Sequence, residues 1–347
     1  MHVFNYDFLK SSKVDADLLN RIGNIERIRD TAEHHDQQTY VLQALENRAV
    51  IMSVIDSNEI EGIRTSEERA VGLISERTVP KGHDEQEIAG YRDALRYIHR
   101  SHDRIKLDKE SILGLYGILM SYKEMSEPGF KSRDNVIVDR DPDGSVSAVY
   151  ETVPFQDTEY CIDQMLSAFW EARNDLDINK LLLIPCFIMD FLRIHPFLDG
   201  NGRMSRLLTV LLLYQEGYDV CRYVSIESKI NASKSDYYRA LEYGYPGWFD
   251  GGSDYTPFIS YFISQLFLCY RDLNLSFGTE IGRSKKTDAL ESFLSICPVH
   301  VSKQDILSMF PDISETSVER TLRDLCDRGV IRKEGSTRSA RYIAARR

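Results

Sequence analysis

Apolar residues recur every three or four positions through most of this chain, the period of a helix that buries one face. Leu42, Leu45, Ala49 and Met52 form one such stripe, which runs into Ser57-Asn-Glu-Ile-Glu-Gly62. Ile184, Phe187, Ile188, Phe191 and Leu192 form a second, and Met204, Leu207, Leu208 and Leu211 a third. Between the last two, Pro196 disfavours extending a helix past His195, and Gly200 and Gly202 permit a tight loop. The following helix is predicted to begin near Asn201 or Gly202. One stretch breaks the helical period. Pro128 to Val138, Asp141-Pro-Asp-Gly144 and Ser145 to Val149 read as a hairpin, with Val136, Ile137 and Val138 on one strand and Ala148 to Tyr150 on the other. The pattern predicts a mainly α protein with a β-hairpin in its middle.

The C-terminal end has a pattern of its own. A polar, glycine-containing stretch from Phe277 to Lys286 suits a linker. Three helical faces follow: Ala289, Leu290, Phe293 and Leu294; then Ile306, Leu307 and Phe310; then Val318, Leu322 and Leu325. Ser314 and Ser317 suggest a capped start for the third helix, and Gly329 its end. Val330 to Glu334, a turn at Gly335 and Arg341 to Ile343 read as a two-stranded wing, so the segment resembles a winged helix-turn-helix.

Charge sharpens that division. The 347 residues are 42% apolar and 28% charged, enough for two or three domains, and carry a formal net charge of −11. That balance argues against a general nucleic-acid binder. From Arg283 onward, however, 13 basic side chains face 9 acidic ones, leaving +4 in the tail and −15 elsewhere. Arg320, Arg323, Arg332, Lys333 and Arg338 are the side chains that would meet phosphates if DNA is a partner, although Glu319, Asp324 and Asp327 dilute the face. There is no apolar run of membrane-spanning length and no basic segment followed by an apolar one at the N-terminus. The reading is a soluble, cytoplasmic protein with no membrane partner. Its six cysteines are scattered through apolar patterns without zinc spacing, and are expected to be reduced packing residues.

The densest chemistry lies in His195-Pro-Phe-Leu-Asp-Gly-Asn-Gly-Arg-Met-Ser-Arg206. A helix starting at Asn201 points its unpaired N–H groups and positive dipole end into the preceding loop, a natural anion site. Arg203 and Arg206 are three apart and share a face of the first turn, where they can fork onto phosphate oxygens. Asp199 offers the hard oxygens that Mg²⁺ prefers, and His195 is suited to taking a proton near neutral pH. Together they make a phosphate site with a built-in base.

These residues resemble the signature of the Fic family, His-Pro-Phe-x-Asp/Glu-Gly-Asn-Gly-Arg-x-x-Arg, and fill every specified position. The resemblance covers roughly residues 100 to 270. It implies a helical Fic-type core with a hairpin flap, and transfer of AMP from ATP to a Ser, Thr or Tyr hydroxyl of a target protein and of the enzyme itself. On the same resemblance His195 is the base, and Asp199 holds Mg²⁺. Gly200, Asn201 and Gly202 line the α-phosphate hole, and Arg203 and Arg206 take the β- and γ-phosphates. Val136, Ile137 and Val138 belong to the flap that holds the target by strand addition. The proline pair that often follows the flap is here Val153-Pro154. Tyr237-Tyr238 resembles a tyrosine pair of which one ring packs on the adenine, and an asparagine expected about eight residues later is replaced by Tyr245. ATP is the favoured donor, with UTP, GTP or another diphosphate-bearing nucleotide as alternatives.

Upstream, Ser57 and Glu61 followed by Gly62 resemble the family's autoinhibitory motif, in which the glutamate occupies the guanidinium, here Arg206, that the γ-phosphate needs. The resulting division is an N-terminal helical region with the inhibitory motif over 1–99, a catalytic core over 100–280 and a winged helix-turn-helix over 285–347. Two other functions fit the same residues: removal of AMP from a modified protein, and a nucleotide-sensing DNA-binding regulator. A homo-oligomer is compatible with either.

Overall fold

Several helices of this chain end where a left-handed glycine or a proline follows, as at Gly62, Pro196, Gly217 and Gly329, and strands form where the helical period is lost. The computed structural model describes residues 2–33, 39–123, 128–140, 146–277, 286–336 and 340–345. Among them the N-terminal half carries α1 (Ala16–Glu33), α2 (Thr39–Ile60), α3 (Glu67–Ile74), α4 (His83–Ser101), α5 (Lys109–Leu119) and the strands β1 (Val136–Arg140) and β2 (Val146–Glu151). Then come α6 (Phe155–Asn174), α7 (Lys180–Ile194), α8 (Asn201–Gln215), α9 (Ile226–Ala232), α10 (Lys234–Glu242) and α11 (Thr256–Phe277). The C-terminal end folds as α12 (Lys286–Ile296), β3 (Val301–Ser302), α13 (Lys303–Met309), α14 (Glu315–Asp327), β4 (Ile331–Glu334) and β5 (Arg341–Ala344). No helix among the described residues is long and apolar enough to cross a membrane.

The expected hairpin is present. β1 and β2 pair antiparallel, with Val136 opposite Glu151, Ile137 opposite Tyr150 and Val138 opposite Val149, and the register shifts between Asp139 and Arg140. Its turn, Asp141 to Gly144, and Ser145 lie outside the described residues, as does the linker over 278–285. At the C-terminal end the second sheet has the order β3-β5-β4, with both pairs antiparallel. Its third strand, β3, is too short at two residues to show as an alternating pattern. Ser302, the second of them, also caps α13 in a reciprocal box with Asp305. Ser314 caps α14 by accepting from Ser317 N, and Gly329 at φ 69° follows its end.

The Cα framework clusters into two compact units. One comprises Met1–Asn24, Arg96–Tyr218 and Ala232–Phe267; the other comprises Ile25–Leu95, Asp219–Asn231 and Leu268–Arg347. In the second unit α12 packs along α2, and a row of polar side chains on α2 is bonded to α9 and the residues before it. Ser53 Oγ and Tyr91 OH donate to the buried Glu227 carboxylate at 2.7 and 2.9 Å. Asn231 Nδ2 donates to Asp56 at 2.9 Å and to Glu59 at 3.2 Å, and Ser228 Oγ also donates to Asp56.

The first unit is built around α7. Every side chain from Leu181 to Ile194 is buried, so this helix is apolar nearly all round and packs between α6 and α8. Asp190 is its buried carboxylate, at 0% exposure. Tyr6 OH donates to it at 2.7 Å, Trp248 Nε1 at 2.8 Å and Tyr255 OH at 2.6 Å. His2 stacks on Trp248 at 4.1 Å between ring centroids, which closes the N-terminal segment over the same group. Burial pushes the Asp190 carboxyl above its ordinary value, against these three donors and His2. Asp190→Ala should lower stability by about 2–4 kcal/mol, because three buried donors lose their acceptor. Asp190→Asn, which retains an oxygen, should lose less; urea unfolding of the two variants checks the order.

Candidate active site

The site begins where α7 stops. His195 has φ 51° and ψ 59°, one of two non-glycine residues in left-handed backbone among those described. This conformation costs about 1–2 kcal/mol for a residue with a Cβ, and Pro196 denies the right-handed alternative. His195 Nδ1 lies 3.1 Å from the Leu192 carbonyl oxygen, which only accepts. The hydrogen therefore sits on Nδ1, so the neutral ring carries its lone pair on Nε2, the tautomer of a base.

Four consecutive carbonyls fix the loop after it. Lys131 Nζ donates to Ile194 O at 3.1 Å and Asn135 Nδ2 to His195 O at 3.3 Å. Lys131 N donates to Pro196 O at 2.8 Å and Asn135 Nδ2 to Phe197 O at 2.8 Å. From the other side Asn201 Nδ2 donates to Phe197 O at 2.7 Å and its Oδ1 accepts from Phe197 N at 2.9 Å. Phe197 is buried against Tyr116, with ring centroids 3.7 Å apart. The Asn201 side chain is thus spent on the loop itself, and it is the residue's backbone N–H that lies in the first turn of the following helix.

That helix, α8, starts after Gly200 at φ 83°, and no side chain caps it. Met204 N makes the first backbone bond, to Gly200 O at 2.9 Å. An uncapped N-terminus at the end of a glycine loop is an anion receptor. Gly202 lies in its first turn, and Arg203 and Arg206 are both buried.

Asp199 sits at the loop's rim with 57% of its side chain exposed, bonded by Lys123 Nζ at 2.8 Å and facing Arg203 Nη2 at 3.4 Å. Desolvation pushes its carboxyl up. The Lys123 bond, the Arg203 and Lys123 charges and the Gly200 N–H outweigh that and hold it below its ordinary value. Among the described residues no group of three His, Cys, Asp or Glu side chains surrounds a metal position. A lone exposed carboxylate beside an uncapped helix N-terminus fits Mg²⁺ only if other oxygen ligands come with the ion, with Lys123 as its competitor.

The remaining predicted residues fall in several places. Tyr237 is buried among Tyr238, Phe258 and Tyr261, whereas Tyr238 is half-buried with Lys234 over its ring. Tyr245 is buried under the Arg193 guanidinium at 4.4 Å, and its edge meets Tyr150 of β2 at 4.6 Å. It joins the hairpin to α7. Val136, Ile137 and Val138 lie on β1, with Val136 and Val138 exposed at 50% and 40%. Ser57 is buried inside α2, and Glu61 is exposed just past its last residue. Gly62, at φ 80°, closes that end: Ile63 N bonds to Asn58 O and Gly62 N to Glu59 O. Arg320, Arg323, Arg332 and Lys333 are exposed on the C-terminal segment, and Arg338 lies outside the described residues. Cysteines 161, 186, 221, 269 and 297 are buried and Cys326 half-buried, all without disulfides.

The sequence reading missed Lys123, Lys131, Asn135 and Thr152. Only Lys131 and Asn135 left a trace, as polar residues in the stretch just before a strand.

Comparison with known proteins agrees with this geometry. Residues 106–213 match the Fic/DOC family. Protein adenylyltransferase Fic of Drosophila erecta is 24% identical over 202 residues, covering 57% of this chain and 39% of that protein. Its Drosophila mojavensis counterpart is 24% identical over 246 residues, covering 70% and 44%. The match thus spans less than half the length of these curated relatives. A crystal structure of a Fic family protein from Desulfovibrio desulfuricans G20 shares the fold, with a TM-score of 0.62 at 20% identity, over 96% of this chain and 97% of that one. Residues 106–213 are thus similar to the Fic/DOC family in sequence, and the chain shares the fold of a Fic family protein.

At Gly200 a Cβ would fall 2.6 Å from Met120 Cε, in addition to the left-handed backbone. Gly200→Ala should therefore lower stability by about 1–3 kcal/mol. Adding Met120→Ala should recover the steric part and leave the backbone part, a non-additivity that chemical unfolding of both variants measures.

Proposed function

We propose that this chain moves AMP from ATP to a hydroxyl of a target protein, and of itself, at the His195 loop. One observation carries the reading: an imidazole whose lone pair is on Nε2 shares a six-residue loop with an uncapped helix N-terminus and two buried arginines. The relatives named protein adenylyltransferase Fic support the same reading. In the proposed reaction His195 takes the hydroxyl proton as the oxygen attacks the α-phosphorus. The bond from that phosphorus to the oxygen bridging to the β-phosphate breaks, and pyrophosphate leaves. Backbone N–H groups at the start of α8 stabilise the charge on the α-phosphate oxygens, and Arg203 and Arg206 neutralise the β- and γ-phosphates. Asp199 would hold Mg²⁺, which would supply further neutralisation of phosphate charge. Tyr238, the more accessible of the tyrosine pair, is the side chain for the base.

The target segment pairs with the edge of β1, where exposed Val136 and Val138 offer apolar contacts beside Ile137. Ser57 and Glu61 act as a brake, with the glutamate competing with the γ-phosphate for Arg206.

Intact-mass spectrometry after incubation with ATP and Mg²⁺ tests the reading. Glu61→Gly should gain the mass of AMP faster than the parent, and His195→Ala in that background should lower the rate by about 10³-fold. Asp199→Ala should flatten the response to a Mg²⁺ titration. Equal rates in the parent and Glu61→Gly would remove the brake; undiminished transfer by His195→Ala would remove the base.

A further inference from the structure

The hairpin and the catalytic loop share one set of hydrogen bonds, and at its centre is a buried lysine. Lys131 is 4% exposed, and all three of its Nζ donors are used: on Asn135 Oδ1 at 2.8 Å, Thr152 Oγ1 at 3.0 Å and Ile194 O at 3.1 Å. Thr152, just past β2, lies 2.8 Å from Asn135 O, to which its hydroxyl can donate, and 2.7 Å from Asn135 Oδ1. None of the three Nζ partners is a carboxylate. An ammonium buried against neutral acceptors is costly, and a methionine of the same length would fill the space without that cost. What the ammonium adds is direction. It takes the Ile194 carbonyl, the Lys131 backbone N–H takes that of Pro196, and Asn135 takes those of His195 and Phe197, the carbonyls around the left-handed turn at His195.

We propose that Lys131 and Asn135 are positioning residues that set the place of the His195 imidazole relative to β1. Lys131 lies five residues before the first residue of β1, and Asn135 one residue before it. A segment paired to β1 is registered against Val136 to Val138, and β1 is registered through Asn135 and Lys131 against the carbonyl of His195 itself. The hairpin root is thus the ruler between the target hydroxyl and the base. This rests on the transferase reading for its consequence, though the clamp itself does not.

Burial holds the Lys131 ammonium down at about 8, with Asp134 of its own segment and Cys161 of α6 opposing. The Cys161 thiol is in turn pushed up by burial to about 11, so it stays neutral while Lys131 titrates. As pH rises through that value, Nζ loses one donor and the clamp one of its bonds.

The experiment uses the full chain carrying Glu61→Gly, with Lys131→Met, Lys131→Arg and Thr152→Val added singly. Two readouts are taken: kcat and KM for ATP in self-modification from pH 6 to 9.5, and hydrogen exchange of the amides of His195 and residues 197–200. Misplacing a base by about an ångström costs about 10²-fold, so Lys131→Met should lose about that in kcat, with KM for ATP changed less than about threefold. Loop exchange should speed up. Lys131→Arg should restore part of kcat, and its rate should not fall above pH 8 as that of the lysine form does. Unchanged loop exchange in Lys131→Met, or unchanged kcat, overturns the proposal. Should Lys131→Met lose its helical circular dichroism, Thr152→Val, which removes one Nζ partner, takes its place: faster loop exchange with lower kcat supports the clamp, and no change in either overturns it. Absence of transfer in every variant, the Glu61→Gly parent included, would refute the transferase reading alone; loop exchange then decides the clamp.

Discussion

The turn at His195 is the constraint on which the rest of the site depends. A helix running into proline must end, and here it ends with a side-chain-bearing residue in left-handed backbone. That conformation is unfavourable on its own and persists because neighbours over-determine it. Below it, Asp190 gathers Tyr6, Trp248 and Tyr255 and anchors α7 one and a half turns before the turn. Beyond it, Lys131, Asn135 and Asn201 hold the carbonyls of the loop. The imidazole is placed by backbone, and the backbone is placed by buried polar groups.

Two carboxylates nine residues apart show how environment assigns roles. Asp190 is sealed in aromatic surroundings, accepts only from neutral groups at hydrogen-bonding distance, and is pushed up by burial. Asp199 lies at the rim between a lysine and an arginine and is held low. The first is therefore suited to bracing a helix, and the second to presenting a charged oxygen beside the start of α8. The same contrast runs through the hairpin: Val136 and Val138 face outward from β1, while the residues just before the strand turn inward to the His195 loop.

Much of this was legible in the sequence because it is local. The end of α7 at a residue followed by proline, the start of α8 at Asn201 and the two strands around Val136 and Val149 all follow from spacing, proline and glycine. What escaped is what distant segments do for one another. Nothing in Pro-Gly-Phe-Lys131 announces a lysine whose acceptors come from residues 135, 152 and 194, and nothing in Phe-Ile-Met-Asp190 announces donors from residues 6, 248 and 255. Tyr245 read as a departure at a base-binding position, yet it lies under Arg193 and meets Tyr150 edge-on. Strand β3 escaped because two residues carry no period, and its pairing with β5 spans forty positions.

If the His195 loop directs attack at the α-phosphorus, the position of a label in ATP must decide whether the protein acquires it. Glu61→Gly protein would be incubated with Mg²⁺ and ATP labelled with ³²P at either the α- or the γ-phosphate, then precipitated and washed. Acid-stable label is expected on the protein from the α position, absent in His195→Ala, with γ label leaving in pyrophosphate. Protein labelled from the γ position alone would overturn this mechanism and make the loop a phosphoryl-transfer site.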